Sequence, residues 1–110
     1  MDEQTPYNIL PAPCCSLEIT GVEEERLVAM FNGLGNPIRF EILKYLVTHN
    51  NCITGDIVNS LPLAQATISQ HLKVLQDSGW IERTPAGAAT TIRQHEGNIA
   101  WFRSKVGDIF

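Results

Sequence analysis

The chain has 110 residues, 44% of them hydrophobic and 18% charged, with a formal net charge of −4. That length suits one small domain with a modest core, of a size often helped by oligomerisation. No apolar run approaches the ~20 residues of a membrane span. The N-terminus carries no basic region ahead of an apolar core, as a secretory signal would, so a cytoplasmic location is expected.

Residues 1–20 read as an arm, with Pro6, Pro11, Pro13 and the adjacent Cys14 and Cys15; residues 21–110 read as the folded domain. A first helix is expected over residues 21–32. Glu23, Glu24 and Glu25 in its first turn suit the helix dipole, and Leu27, Met30, Phe31 and Leu34 form its apolar stripe. A second helix is expected over residues 37–49. Asn36 is placed to cap it, and Pro37 fits the first helical position. Ile38, Ile42, Leu43, Leu46 and Val47 give it a buried face. A short third helix follows over residues 53–61, then the tight turn LPLAQ.

The stretch LAQATISQHLKVLQDSGWIERTPAGAATTIR, residues 63–93, is the most informative part of the chain. Ile68, Leu72 and Leu75 repeat at helical spacing. The other face offers Gln65, Thr67, Ser69, Gln70 and Lys73. Amides, hydroxyls and a lysine on one helix face suit the reading of base edges in a major groove. Gly79 supplies the left-handed stop. Residues 80–84 and 89–93 then read as two strands around a PAGA turn. Two helices joined by a short turn, followed by a hairpin, make a winged helix-turn-helix. A last helix is expected over residues 98–109, with Ile99, Phe102, Val106 and Ile109 on one stripe.

The charge is unevenly spread. Residues 1–35 hold six acidic groups against Arg26 alone, a balance of −5; residues 36–110 hold seven basic and six acidic groups, a balance of +1. Phosphate contacts would fall to Lys44, Lys73, Arg83 and Arg93, giving modest non-specific affinity. The wing tip, Pro85 to Ala89, has no arginine, which argues against strong minor-groove contact. There is no Gly-rich phosphate loop and no catalytic set of Ser, His and Asp or of paired carboxylates. An enzyme and an organic cofactor are therefore not expected.

The order LGNPIRFEILKYL, GDIVNSL, TISQHLKVLQDSG resembles the ArsR family of winged-helix metalloregulatory repressors over about residues 27–110. The resemblance implies a homodimer that binds a palindromic operator and releases it when a thiophilic ion binds. The first and last helices would then build the dimer interface, through Leu27, Met30, Phe31, Ile99, Phe102 and Val106. Two reading helices would lie roughly 34 Å apart. His71 stands where the family often has histidine, on the DNA side or in packing.

Cys14, Cys15 and Cys52 all occupy polar stretches, and the last lies in THNNCITGD, not an obvious core position. Three thiolates from two loops suit a thiophilic metalloid, trivalent arsenic or antimony, better than zinc, which takes four ligands. The family's usual inducer motif, Cys-Val-Cys-Asp-Leu, is replaced here by Ile53-Thr54-Gly55-Asp56-Ile57, with Cys52 one position ahead. An arm cysteine pair plus one cysteine near the third helix resembles a variant arsenic-sensing branch. Two alternatives stand beside this reading. One is a repressor of the same fold switched by thiol oxidation; the other is a winged helix that binds protein instead of DNA.

Overall fold

The computed structural model describes residues 19–110. The elements in chain order are α1 (Val22–Leu34), α2 (Pro37–Thr48), β1 (Cys52–Ile53), α3 (Thr54–Ser60), α4 (Gln65–Ser78), β2 (Ile81–Ala86), β3 (Ala89–Gln94) and α5 (Glu96–Ile109). The five expected helices and the hairpin are all present, each within a few residues of its expected ends. β1 is an addition: it pairs antiparallel with β3, Cys52 opposite Ile92, to give a three-stranded sheet in the order β1-β3-β2.

Local chemistry explains the boundaries. Asn36 is extended, and its side-chain oxygen accepts hydrogen bonds from the backbone N–H groups of Ile38 and Arg39, so two orphan donors at the start of α2 are satisfied. At α3, Asp56 reaches back to the N–H of Ile53 at 2.9 Å. Gly79 ends α4 at φ 99°, a left-handed conformation that an L-residue adopts only with strain. Gly87 has φ 66° in the two-residue turn that joins Ala86 to Ala89, which a tight hairpin requires.

The core is one cluster. Ile42 and Leu46 from α2, Ile57 from α3, Ile68, Leu72 and Leu75 from α4, and Ile92 from β3 are fully buried. α2 and α4 each contribute a stripe and α3 contributes Ile57, so the helix-turn-helix α3–α4 is held against both α2 and the sheet. Trp80 roofs this core. Its indole N–H donates to the carbonyl of Met30 at 2.7 Å, and its ring meets Phe102 of α5 edge-on at 4.8 Å. α5 packs on the edge of this core through Ile99, Trp101 and Phe102; Arg26 of α1 stacks on Trp101 at 3.8 Å, Lys105 pairs with Glu23 at 3.1 Å, and no residue of α5 is fully buried.

Candidate nucleic-acid interface

α4 carries the expected division of faces. Ile68, Leu72 and Leu75 are buried, while Gln65, Gln70 and Lys73 are exposed and Thr67, Ser69 and His71 stand half-exposed at the flanks. The rigid inner stripe fixes the rotation of the helix, and therefore the direction of its polar face. Ala66 is exposed beside Gln70, so the centre of that face is open and free of bulk.

The four cations expected to meet phosphate, Lys44, Lys73, Arg83 and Arg93, all have internal acceptors. Lys73 pairs with Asp77 at 3.3 Å one turn along α4, and Lys44 pairs with Glu41 at 2.7 Å. Arg93 lies 3.4 Å from Glu82 across the hairpin. Arg83 donates from Nε to Gln76 at 2.7 Å, which ties the root of the wing to the C-terminal half of α4. Exposed ion pairs of this kind are weak, so a phosphate can replace the carboxylate with little loss. The wing tip from Pro85 to Ala88 is exposed and uncharged.

His71 is held from the side. Its Nδ1 lies 3.4 Å from Nη1 of Arg39 on α2. Partial burial, and then the Arg39 charge, lower its pKa from the ordinary 6.5, so the ring is neutral near pH 7. Arg39 also donates from Nε to the carbonyl of Gly33 at 2.6 Å and from Nη2 to that of Asn32 at 3.1 Å. Sequence reasoning did not single out this residue; the motif LGNPIR contained it without showing where the guanidinium goes. Asn98 was missed too. It donates to the carbonyl of Gly79 at 3.0 Å and accepts from Arg26, so it joins α5 to the end of α4.

Two groups of expected site residues stand differently from the sequence reading. Leu27 and Met30 are buried within their own chain, 5% and 1% exposed, because the apolar stripe of α1 packs on α4 and Trp80. The large apolar groups that α1 offers outward are Val22, Val28 and Phe31. Ile99, Phe102 and Val106 are half-buried. Cys52 is the other case: it is 7% exposed, a core residue of β1 instead of part of an open polar loop. Its neighbours Asn50, Asn51 and Thr54 are polar because the chain turns there. Asn51 is left-handed at φ 66°, and Asn50 accepts from the N–H of Gln94 at 2.9 Å. Burial, and then the Asp56 carboxylate, push the Cys52 thiol up from its ordinary 9.0, so it stays protonated near neutral pH. Cys14 and Cys15 lie outside the described residues. Among the described residues no three His, Cys, Asp or Glu side chains converge as a metal site, and no helix is long and apolar enough to cross a membrane.

Residues 36–83, from the cap of α2 to the root of the wing, match the model of the arsR family of bacterial regulatory proteins. An uncharacterised HTH-type transcriptional regulator of Methanocaldococcus jannaschii is 32% identical over 63 residues, which cover 57% of this chain and 71% of that protein. Among solved structures, an ArsR-like transcriptional regulator from a Rhodococcus species superposes with a TM-score of 0.71 at 23% identity, over 78% of this chain and 80% of that one. A homodimeric winged helix-turn-helix domain from Mycobacterium bovis gives a TM-score of 0.66 at 18% identity, over 94% and 85% of the two chains. HlyU from Vibrio cholerae gives 0.62 at 20% identity, over 77% and 97%. The chain belongs to the arsR family of bacterial regulatory proteins, transcriptional regulators with a DNA-binding winged helix-turn-helix.

Proposed function

We propose that this chain is a cytoplasmic repressor that binds a palindromic operator as a homodimer and is released by trivalent arsenic or antimony. The DNA-reading half rests on one observation: the polar face of α4, with Gln65, Gln70 and Lys73 outward, set on a fully buried stripe of Ile68, Leu72 and Leu75. Thr67, Ser69 and His71 would flank the contact, with Arg83 and Arg93 at the root of the wing. The dimer is supported by α5, in which no residue is buried, and by the outward Val28 and Phe31 of α1. An apolar surface of this kind is suited to self-association.

The DNA reading makes a two-part prediction. Gln70→Ala should weaken binding to the operator by about 1–3 kcal/mol and relax preference at one base position. Lys73→Ala should weaken all duplexes alike and lower the salt slope by about one. Fluorescence anisotropy across a salt series separates the two. Equal, salt-independent losses would count against this orientation of α4.

Inducer chemistry rests on the thiols, since soft thiolates select thiophilic ions. Cys52, buried and protonated, does not fit an open ligand as it stands. It joins Cys14 and Cys15 only in a form in which the two-residue β1 has left β3. Arsenite titrated into the reduced protein–operator complex tests this. Cys14→Ser and Cys15→Ser should bind DNA and resist release, and Cys52→Ser should need more arsenite. An unchanged response in Cys52→Ser would confine the ion to the arm pair. Release by peroxide and not by arsenite would instead identify a thiol-oxidation switch.

A further inference from the structure

We propose that Arg39 is a positioning residue for DNA reading: it never touches DNA, but it fixes the ring of His71 so that Nε2–H is the group presented outward. This rests on the reading of α4 as the DNA-contacting helix. Arg39 sits in the first turn of α2 and bridges three helices. Nε and Nη2 hold the last-turn carbonyls of α1, Gly33 and Asn32, while Nη1 faces Nδ1 of His71 on α4. Carbonyls in the last turn of a helix lack the usual partner one turn on, and a cation there also suits the helix dipole; the Asn32 carbonyl also accepts from the N–H of Gly35 at 3.3 Å. The guanidinium is therefore anchored by two bonds before it meets the histidine.

The chemistry of the third contact is one-directional. A guanidinium has donors only and does not lose its proton in proteins. Nδ1 must then be the acceptor, which puts the single ring proton of neutral His71 on Nε2. Nε2 has no hydrogen-bond partner among the described residues, and the ring is half-exposed on the flank of the polar face of α4. A neutral histidine free to exchange tautomers would present an acceptor part of the time. The Arg39 contact removes that state, so His71 meets a phosphate oxygen or a base acceptor as a donor. Because the same guanidinium holds the end of α1, a displacement of α1 also displaces the group that orients His71.

The test uses the full chain and a duplex selected by the wild-type protein from a random-sequence pool. Arg39→Lys is the informative variant: one ammonium can still meet the α1 carbonyls but does not reach His71 as well. It should keep the thermal midpoint within a few degrees and lose about tenfold in affinity for the selected duplex. His71→Ala should lose a similar factor, and the double variant no more than His71→Ala alone. Ring 15N spectra at neutral pH should show a proton on Nε2 and a bare Nδ1 in the wild type, and mixed tautomers in Arg39→Lys. Wild-type affinity with a wild-type ring spectrum in Arg39→Lys overturns the proposal. So does a wild-type ring with its proton on Nδ1, or losses that add in the double variant. If no duplex is selected at all, the DNA reading fails, and the ring spectra still decide whether Arg39 sets the tautomer.

Discussion

Leu72→Ala is expected to lower the free energy of unfolding by about 2–5 kcal/mol, as large-to-small changes at fully buried sites do. Leu72 has no exposure, and it lies midway along the stripe that α4 buries between α2, α3 and the sheet. The total stability of a small domain is about 5–15 kcal/mol, so this single truncation removes a large share of it. Urea unfolding at fixed protein concentration measures the effect as a shift in midpoint with an unchanged slope. Gln70→Ala, two residues away on the outer face, is the control. It should leave stability within about 0.5 kcal/mol while it affects DNA binding. A Leu72→Ala midpoint close to wild type would mean that α4 is not seated as described.

That contrast between Leu72 and Gln70 was legible in the sequence, and the reason is periodicity. A helix that buries one stripe must repeat apolar residues every three or four positions, and the stripe at 68, 72 and 75 does so. The caps were legible for the same kind of reason. Asn36 before Pro37, and Gly79 after a helical run, each have a local backbone job that few other residues perform. β1 was not legible. Two residues carry no alternation, and their pairing with β3 spans about 40 positions of chain. The polar flanks of Cys52 pointed to an open loop, but they serve the turn before the strand; the side chain itself turns inward opposite Ile92.

The site was legible by residue type and only in part by arrangement. Gln65, Gln70 and Lys73 follow from helical phase, because exposure on a single helix is a local property. The roles of Leu27 and Met30 do not. An amphipathic stripe shows that a face is buried, and not whether its own chain or a second copy covers it. Here α4 and Trp80 cover it, with the Trp80 indole fixed on the Met30 carbonyl. Arg39 was out of reach for a related reason. Its partners are two backbone carbonyls and a ring nitrogen 32 positions away, and none of these leaves a pattern in composition or spacing.

The same substitution at two glycines is expected to act with opposite sign. Gly33 lies in the last turn of α1, where α1 crosses α4. A Cβ there would fall 2.7 Å from the Cβ of Ser78 and 3.2 Å from the Trp80 ring. The Ser78 hydroxyl is held on the carbonyl of Val74 at 2.8 Å, and Trp80 is buried. The methyl group therefore fits only if the two helices part, at about 1–3 kcal/mol, the usual range for overpacking. Helix propensity returns up to ~1 kcal/mol of that, so Gly33→Ala should be destabilising, by up to roughly 2 kcal/mol. Gly107, inside α5, has nothing within 4 Å of the same atom. There the propensity gain stands alone, and Gly107→Ala should stabilise the protein by about 0.5–1 kcal/mol. Gly33→Ala should also weaken operator binding beyond its effect on the folded fraction. The carbonyls of Asn32 and Gly33 that anchor Arg39 move with the end of α1. Paired urea titrations and anisotropy measurements on the two variants read both effects. If Gly33→Ala stabilises the protein as Gly107→Ala does, the close approach of α1 to α4 is wrong.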